Sequence, residues 1–262
     1  MIRFFSGPSE ISGSSIRLRE ENAAHIRSLR LRPDELFTVC DGEGLDHICR
    51  LGDKFDGSEA VIIESRPSLG EPSVACTVFI ALAKGDRLDY AVQKSVELGA
   101  YDIVLFPCER CVSVPDDISR KTERLQRISL ETAKQCGRGR VPAVSAVSSF
   151  QMAIRRAAPC DSDRAFHVTP HGGEECGERA SFLSLFLYEC EDTLHLKQAL
   201  EGRGAFDRVT IMTGPEGGFE SFEAESAKEA GMVTVSLGPR ILRCETAPVA
   251  ALAAVMFHTG NL

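Results

Sequence analysis

The sequence predicts an α/β protein in which a mostly parallel sheet, covered by helices, is preceded by a small unit of short β-strands. Residues 74–83 (VACTVFIALA) form a nearly continuous apolar run, which is typical of a strand covered on both faces. After this run, strand-like and helix-like segments alternate, as expected of a mostly parallel sheet. Before residue 70, short β-type segments and turn signals dominate, so this part forms a different folding unit.

Length and charge limit the classes of protein to which the chain can belong. The 262 residues are enough for one large domain, or for a small and a medium domain. The formal net charge of -8 and the pI near 5.4 argue against a protein that coats nucleic acid by charge alone. Such binding grows with the number of phosphates neutralised. A local basic face remains compatible with this charge.

Apolar runs and cysteines predict a cytoplasmic protein with no membrane association. The longest apolar run, at 247–257, is shorter than the roughly 20 residues that a membrane-spanning helix needs, so we expect a buried core helix there. The ten cysteines have irregular spacings, and no signal peptide is recognisable at the amino terminus. We therefore expect a reduced, cytoplasmic chain.

Five β-type segments and one hairpin predict the fold of the amino-terminal unit. Asp41-Gly42, followed by Glu43-Gly44, is a turn signal between two of the segments and indicates a hairpin in a small barrel-like β-domain. Residues 66–73 (RPSLGEPS), with two prolines and a glycine, are the best linker candidate. The five segments are residues 2–5, 14–20, 35–44, 47–51 and 59–65.

Alternating elements follow the linker. A helix is predicted from Asp86 to Leu98, with Gly99 as its stop and with Leu88, Ala91, Val92 and Val96 on one face. Asp116 and Asp117 indicate the start of a second helix, because carboxylates suit the positive end of the helix dipole. The inner face of this helix is expected to carry Leu125, Ile128 and Thr132. Strands are predicted at residues 102–108, 141–147, 165–170, 208–214 and 232–238.

Two glycine-containing turns are the first candidates for a ligand site. In open α/β sheets, ligands bind beyond the carboxyl ends of the strands. The stretches MTGPEGGFES (212–221) and LGPRILRCETAP (237–248) both follow predicted strands. Glycines at 214, 217 and 218 would let main-chain groups approach a ligand that carries an adenine and a ribose. An ordinary tight connection stays open as an alternative, and neither stretch fits a dinucleotide fingerprint or a phosphate-cradling loop.

Charged residues extend the second turn. Arg240 and Arg243 beside a glycine turn suit an anionic substrate. The alternative is that Arg243 pairs with Glu245 for structure only. Thr246 is expected to cap the apolar helix that follows, with Pro248 in its first turn.

Two clusters of basic residues indicate a nucleic-acid partner. Between residues 120 and 140 seven Lys or Arg stand against two acids. Two basic patches on separate domains could grip one folded nucleic acid from two sides, although a solvated helix face stays open for the first of them. The first patch is Arg120, Lys121, Arg124, Arg127, Lys134, Arg138 and Arg140, and the second is Arg17, Arg19, Arg27, Arg30 and Arg32.

Cys108 and Cys111 have the C-x-x-C spacing of a zinc half-site or a redox pair. No second C-x-x-C or H-x-x-x-H follows, and the six histidines form no metal spacing. We therefore expect no metal, and incidental buried cysteines are the favoured interpretation.

The motifs together resemble the RsmE family of small-subunit (16S) rRNA uracil-N3 methyltransferases, within the SPOUT superfamily. The resemblance spans nearly the whole chain, and the two carboxyl-terminal motifs are its most specific part. The motifs that carry it are GPEGGF (214–219), LGPRILRCETA (237–247), KGDRLDYAVQKSVELG (84–99), ERCVSV (109–114), TAKQCGR (132–138) and HIRSLRLRPDE (25–35).

The resemblance implies a fold and an assembly. Residues 1–70 would form a PUA-like β-barrel that binds RNA. Residues 71–262 would form a SPOUT methyltransferase domain whose carboxyl-terminal chain is threaded into a trefoil knot, a topology of which local pattern gives no warning. The family works as homodimers, and the turns of its knot form the pocket for S-adenosylmethionine.

The resemblance also assigns site residues. The residues implied in catalysis are Arg243, Arg240 and Glu216. Those implied in cofactor binding are Thr213, Gly214, Gly217, Gly218, Leu237, Gly238, Ile241, Leu242, Thr246 and Ala247. Those implied in RNA binding are Arg3, Arg30, Lys94, Arg110, Arg124 and Arg138, with Glu97 and Gln135 at further polar positions of the family.

Four positions depart from the family pattern. Cys244 stands where threonine is common, Cys108 and Cys111 where serine is common, and Asp89 where glutamate is frequent. The three cysteines put a hydroxyl hydrogen bond at each site in doubt.

The implied function is S-adenosylmethionine-dependent methylation of N3 of a specific uridine in 16S rRNA of the assembled small subunit. Two alternatives stay open. One is a knotted methyltransferase that acts on a ribose 2′-hydroxyl or on another RNA, and the other is a non-catalytic RNA-binding assembly factor. Glu216 and water are the candidates for the acceptor of the N3 proton.

Overall fold

The computed structural model describes residues 2–52, 58–112, 117–158, 182–202 and 204–262. The chain divides into two compact units. The first is Met1–Glu71 with Leu130–Val141, and the second is Pro72–Ser129 with Pro142–Leu262.

The amino-terminal unit contains a six-stranded sheet with the order β1-β4-β5-β6-β3-β2. The pairing of β1 with β4 is parallel, and the other pairings are antiparallel. All five predicted β-type segments contain strands, whereas β2 and α1 were not predicted. The barrel form of this sheet stays a prediction. The elements are β1 Arg3–Phe5, β2 Ile11–Ser12, β3 Ser15–Arg17, helix α1 Glu20–Leu29, β4 Phe37–Cys40, β5 Leu45–Leu51 and β6 Glu59–Pro67.

The hairpin predicted at Asp41-Gly42 is confirmed and joins β4 to β5. The Asp41 Oδ1 atom accepts hydrogen bonds from the main-chain N–H groups of Glu43 (2.7 Å), Gly44 (3.0 Å) and Leu45 (3.0 Å). Gly42 and Gly44 have positive φ angles of 83° and 116°, which residues with a Cβ adopt at a cost. The turn is therefore specified locally, by one carboxylate and two glycines.

Glu71 binds residues 138–140 within the amino-terminal unit. Its carboxylate accepts from Arg138 Nε (3.1 Å) and Nη2 (2.7 Å), and from the N–H groups of Gly139 (2.9 Å) and Arg140 (3.0 Å). A Cβ on Gly139 would lie 2.3 Å from the Ser68 Cβ, so this close approach requires glycine. The predicted linker is therefore not a free tether, because its residues up to 71 are bonded into this unit.

The carboxyl-terminal unit is built on a parallel sheet with the order β12-β10-β11-β7-β8-β9, as the alternating pattern predicted. Its strands are β7 Ala75–Ala81, β8 Asp102–Phe106, β9 Ala143–Ala146, β10 Phe182–Leu187, β11 Arg208–Thr213 and β12 Val233–Val235. Its helices are α2 Arg87–Glu97, α3 Ile118–Cys136, α4 Phe150–Ala157, α5 Leu196–Glu201, α6 Ser221–Glu229 and α7 Thr246–His258, with α3 running on into residues of the first unit.

Most predicted elements of this unit occur with shorter bounds. The strand predicted at 165–170 and the residue Asp116 lie outside the described residues. Strand β10 was missed. The predicted inner faces are confirmed, because Leu88, Ala91, Val92 and Val96 of α2 are buried, as are Leu125 and Thr132 of α3, with Ile128 half-buried.

Helix α7 packs on β11 and β7, and it also contacts α2 and α5. Leu252 and Val255 are fully buried, whereas Phe257 is 74% exposed, so the helix is buried on one side only. The predicted capping by Thr246 is wrong. Thr246 is the first helical residue, with its N–H bonded to the Arg243 carbonyl, while Pro248 does lie in the first turn.

No helix in the described part of the chain is both long enough and apolar enough to cross a membrane.

The Glu71→Ala variant should lower the free energy of unfolding by about 3 kcal/mol, measured by urea denaturation. The side chain of Arg138 is 3% exposed, and removing one partner of a buried pair leaves the other charge uncompensated. The control is Glu131→Ala, which removes the exposed partner of Lys134 and should cost less than about 1 kcal/mol. Equal losses in the two variants would contradict the importance of the buried pair.

Candidate functional site

The carboxyl ends of three neighbouring parallel strands meet at one edge of the sheet. Strand β10 lies between β11 and β12, with Phe186 opposite Met212 and Leu187 opposite Val235. The turns that leave these strands therefore begin side by side. We call residues 188–195 the first turn, 214–220 the second turn and 236–245 the third turn. The second and third turns contain the two predicted motifs.

Glycines in the second turn make room for neighbouring protein groups. A Cβ on Gly218, which has a φ of +68°, would lie 1.7 Å from Glu189 Oε1. A Cβ on Gly217 would lie 3.1 Å from Arg110 Cβ, and one on Gly214 would lie 3.1 Å from Phe219 Cε2. We expected these glycines to let a ligand approach. The structure gives a second reason for them, which is close packing of side chains around the turn.

Phe219 anchors the second turn in the apolar core. The residue is 1% exposed, and its ring centroid lies 4.3 Å from that of Phe186. It also stacks on Phe106 at 6.4 Å. Its main-chain N–H donates to Glu189 Oε1 at 3.2 Å. An aromatic contact and a charge-assisted hydrogen bond thus hold this turn against the strand beside it.

Arg110 holds the same turn from the other side. Its Nε donates to Glu220 Oε1 at 2.8 Å, and its Nη1 donates to the Gly217 carbonyl at 2.9 Å. The neighbouring Glu109 N–H donates to Glu223 Oε1 at 3.0 Å. The resemblance implied an RNA contact for Arg110, but in the structure its guanidinium holds the turn.

The third turn offers free main-chain groups. Residues 237–242 make no hydrogen bond to any other residue that the structure describes. Ile241 is 87% exposed, and a Cβ on Gly238, whose φ is +104°, would meet no atom within 4 Å. Arg240 and Arg243 are exposed, and neither forms an ion pair within the described ranges. An exposed apolar side chain beside unpaired polar groups is typical of a binding surface.

Arg87 links the second and third turns. Its Nη1 donates to Glu216 Oε1 at 2.5 Å, and its Nε lies 3.7 Å from Glu245 Oε2. Glu216 Oε1 also accepts from the Lys84 N–H at 3.0 Å. The ion-pair partner of Glu245 in the described chain is therefore Arg87 and not Arg243, so the purely structural Arg243–Glu245 pair is wrong. Sequence reasoning missed Arg87, although it lies within the quoted motif at 84–99.

These contacts set the protonation state of Glu216. Burial alone would raise the pKa of its carboxyl group. The hydrogen bond from the Lys84 N–H and the guanidinium of Arg87 outweigh this, and the pKa stays below its ordinary value. Glu216 is therefore ionised at neutral pH and is a weak proton acceptor.

A cavity of about 600 Å³ opens beside Arg87. Tyr90, which is 48% exposed, contributes an aromatic ring to its wall. The cavity is lined by Lys84, Gly85, Asp86, Arg87, Tyr90, Glu245 and Thr246. It has the size of a small-molecule or nucleotide site and carries both signs of charge.

Cys244 keeps a hydrogen bond where threonine is common in the family. Its Sγ donates to Glu245 Oε2 at 3.3 Å. Burial, followed by this bond, raises the pKa of the Cys244 thiol to about 12, so the group is protonated at neutral pH. The doubt about a lost hydroxyl bond therefore does not apply at this position.

The first turn was missed together with β10. Glu189 holds Phe219, and Glu191 Oε2 accepts from Thr234 Oγ1 at 2.8 Å. His195 Nδ1 lies 2.7 Å from Ser236 Oγ. The available signal was the apolar run FLSLFL (182–187), which is followed directly by Tyr-Glu.

Several residues expected to bind RNA are engaged elsewhere. Arg138 is 2% exposed and bound to Glu71, and Arg3 pairs with the buried Asp46 at 2.7 Å, so both expectations are corrected to structural roles in the amino-terminal unit. Lys94 pairs with Glu97 at 2.8 Å, and Arg124 pairs with Asp89 at 2.5 Å. Arg30 is exposed and ends α1 with a positive φ of 53°.

The residues implied in cofactor binding differ in their exposure. Thr213 is fully buried, and its Oγ1 donates to the Phe79 carbonyl at 3.3 Å, so only its main chain faces the turn. Leu237, Gly238, Leu242 and Ala247 are half-buried, and Ile241 and Thr246 are exposed.

The Arg87→Met variant should loosen both turns. We expect amide hydrogen exchange at Gly218, Thr246 and Ala247 to become roughly fivefold faster, because exposed ion pairs contribute up to about 1 kcal/mol to a local opening. The matched control is Arg124→Met, which removes the ion pair between Arg124 of α3 and Asp89 of α2. Unchanged exchange in Arg87→Met would show that Arg87 does not hold the turns.

Comparison with known proteins shows the family of the chain. Residues 70–256 match the family model described as an RNA methyltransferase domain. The Bacillus subtilis (strain 168) protein named Ribosomal RNA small subunit methyltransferase E is 31% identical over 246 residues, which are 92% of this chain and 90% of that protein. A protein of the same name from Synechocystis is 30% identical over 254 residues, which are 97% of this chain and 76% of that protein.

A solved structure shares the fold. The crystal structure of a ribosomal RNA small subunit methyltransferase E from Neisseria gonorrhoeae, bound to S-adenosyl methionine, is 30% identical to this chain with a TM-score of 0.77. The match covers 98% of this chain and 97% of that one. The motifs at the strand ends, the family model and these full-length similarities lead to one conclusion: the chain belongs to the RsmE family of small-subunit ribosomal RNA methyltransferases.

Proposed function

We propose that this protein methylates N3 of one uridine of 16S rRNA in the assembled small ribosomal subunit, with S-adenosylmethionine as the methyl donor. The observation that carries the proposal is the edge where β11 and β12 end. Two motif turns begin there, and Arg87 joins them. Within the described ranges, the main-chain groups of residues 237–242 have no hydrogen-bond partner, and Arg240 and Arg243 have no ion-pair partner.

The residues present fit S-adenosylmethionine. The free N–H and C=O groups of residues 237–242 match the hydrogen-bonding edges of an adenine and the hydroxyls of a ribose. Gly238 leaves open space where a side chain would stand, and Ile241 and Leu242 supply apolar surface. We assign the cofactor to the main chain of Thr213, Gly214, Gly217 and Gly218 and to the third turn with Thr246 and Ala247. S-adenosylmethionine supplies an electrophilic methyl group when bound.

Arg240 and Arg243 are the residues to which we assign the chemistry. The N3–H of uracil is a weak acid, and loss of its proton places negative charge on the two carbonyl oxygens that flank N3. A nearby guanidinium stabilises that charge, most strongly where no carboxylate already neutralises it. Both arginines meet this condition in the described chain, whereas Arg87, Arg110 and Arg124 are paired. The base must leave its stack, because N3 is on the pairing edge.

Glu216 acts as a positioning residue in this proposal. Its carboxylate is held ionised by Lys84 N–H and Arg87, so it fixes the second turn relative to helix α2. Water is the favoured acceptor of the N3 proton.

RNA binding is assigned to the amino-terminal unit, which we propose to be a PUA-like barrel. The exposed arginines of that unit supply sequence-independent contacts to phosphates. They include Arg17, Arg30 and Arg32, whereas Arg19 and Arg27 are ion-paired with Glu10 and Glu20. We propose a cytoplasmic location, because small ribosomal subunits, the proposed substrate, are found there.

We also propose the trefoil knot and the homodimer. In support of the knot, the chain leaves β12 by the third turn and returns as α7 on β11 and β7. In support of the dimer, α2 and α7 pack together and expose Tyr90 (48%) and Phe257 (74%) on the same unit. Exposed aromatic residues of this kind are enriched at protein interfaces.

Primer extension on small subunits from cells that lack the gene tests the function. Incubation with protein and S-adenosylmethionine should create one stop next to a single uridine, because methylation at N3 blocks pairing. A protein that binds the cofactor but gives no stop on subunits would contradict N3 methylation and favour a ribose 2′-hydroxyl or another RNA.

The Arg243→Ala variant should lower kcat about 100-fold, as loss of one charge-stabilising donor does. The Kd for S-adenosylmethionine, measured by calorimetry, should change by less than about threefold, because the side chain acts on the base. Arg155→Ala, which removes an exposed arginine of α4, is the control. Equal losses in kcat and in cofactor affinity would show that Arg243 is a binding residue.

A further inference from the structure

Cys108 and Cys111 form a close thiol pair beside the second turn. Their Sγ atoms lie 3.5 Å apart. The Cys108 N–H donates to Cys111 Sγ at 3.3 Å, and the Cys111 N–H donates to the Cys108 carbonyl at 3.1 Å. A tight turn thus places the two sulfurs face to face. Both residues are half-buried and pack against the apolar cluster that contains Phe219.

The pair is not part of a metal centre in the described chain. No group of three or more His, Cys, Asp or Glu side chains within the described ranges is placed to hold a metal ion. Two thiol groups at this separation have the chemistry of a dithiol.

The environment of Cys111 favours the thiolate. The hydrogen bond from the Cys108 thiol, with that from the Cys108 N–H, outweighs burial and lowers the pKa of the Cys111 thiol. The other half-buried or buried cysteines differ, because burial raises the pKa of the Cys49 and Cys244 thiols to about 12. Cys111 is thus the activated member of a pair, with a second thiol in reach.

We propose that Cys108 and Cys111 are a thiol–disulfide exchange site for low-molecular-weight disulfides, and that formation of their internal disulfide weakens binding of S-adenosylmethionine. The second part rests on the proposed function.

The exchange has two balanced steps. The Cys111 thiolate attacks one sulfur of the small disulfide, which forms a mixed disulfide and releases one thiolate. Cys108 then loses its proton and attacks Cys111 Sγ, which forms the internal disulfide and releases the second small thiol. The protein loses two thiol hydrogens, and the small disulfide is reduced to two thiols.

Two contacts connect this pair to the second turn, and a third connects it to helix α6. Arg110, which lies between the two cysteines, binds Glu220 and the Gly217 carbonyl, and the Glu109 N–H binds Glu223. A disulfide requires the sulfurs to approach to about 2.05 Å from their 3.5 Å separation. We expect the segment 108–111 to move as the sulfurs approach, and Arg110, which donates to the Gly217 carbonyl at 2.9 Å, to move with it. The displacement of Arg110 therefore reaches the second turn.

The test uses the full-length reduced protein and glutathione disulfide as the probe. After incubation, free thiols are alkylated and the peptides are mapped by mass spectrometry. We expect a Cys108–Cys111 disulfide that dithiothreitol reverses. Calorimetry should show a Kd for S-adenosylmethionine about tenfold higher in the oxidised protein than in the reduced one, a coupling of ordinary size.

Variants separate the pair from other thiols. In Cys108→Ser and Cys111→Ser, glutathione disulfide should leave the cofactor affinity unchanged, because the internal disulfide cannot form. Cys136→Ser removes an exposed cysteine of α3 and should keep the full response of the unchanged protein.

The outcomes are distinguishable. Oxidation that maps to Cys136 or Cys190, or that stops at mixed disulfides, would overturn the exchange site. A Cys108–Cys111 disulfide with unchanged affinity would overturn the coupling to the cofactor. A reduced protein that does not bind S-adenosylmethionine would overturn the proposed function and the coupling, while the disulfide mapping would still decide the exchange site.

Discussion

The parallel pairing of β10 with both β11 and β12 is the constraint on which the site depends. Parallel strands need crossover connections, so turns that are far apart in the chain leave the sheet at one edge. Because β10 is shared, a side chain that follows it can reach both neighbours. Glu189 binds the Phe219 N–H of the second turn, and Glu191 binds Thr234 of β12. The first turn is therefore fastened to the second turn and to β12 before any ligand binds.

Pairing and burial separate structural cations from functional ones. The sequence does not distinguish the roles of Arg138 and Arg243, since each lies within a motif of the family. In the structure Arg138 is 2% exposed and satisfied by Glu71, whereas Arg243 is exposed with no carboxylate partner in the described chain. The carboxylate partner of a paired guanidinium offsets much of its electrostatic potential. An unpaired guanidinium therefore stabilises negative charge that develops on a substrate more strongly. Several basic side chains between residues 120 and 140 form ion pairs within the protein. Arg124 pairs with Asp89, and Lys134 pairs with Glu131.

Local signals predicted the elements that depend on local physics. The run at 74–83 and the turn at Asp41 were identified because apolar continuity and turn chemistry are written in neighbouring residues. Strand β10 was missed although its apolar run FLSLFL was a local signal. Its position between β11 and β12 could not be predicted, because it depends on strands about 25 and 50 residues later in the chain. The same reason applies to Arg87, whose role as a link exists only when two distant turns are side by side. The family and its cofactor could be predicted because the motifs are specific, but the partners of each charged side chain could not.

The glycines of the second turn have two explanations, which are room for a ligand and close packing of protein side chains. Gly217 and Gly218 are needed because Arg110 and Glu189 lie where a Cβ would stand. The same two side chains also bind the turn by hydrogen bonds and so fix its conformation. The third turn is the opposite, since residues 237–242 have no hydrogen bonds to the rest of the described chain. One wall of the site is thus pre-organised, which lowers the entropy cost of binding. The other wall keeps its donors and acceptors free, so a ligand gains the hydrogen bonds that the protein itself does not use. A site of this kind would bind its ligand largely through main-chain groups, which is consistent with glycine at 214, 217, 218 and 238.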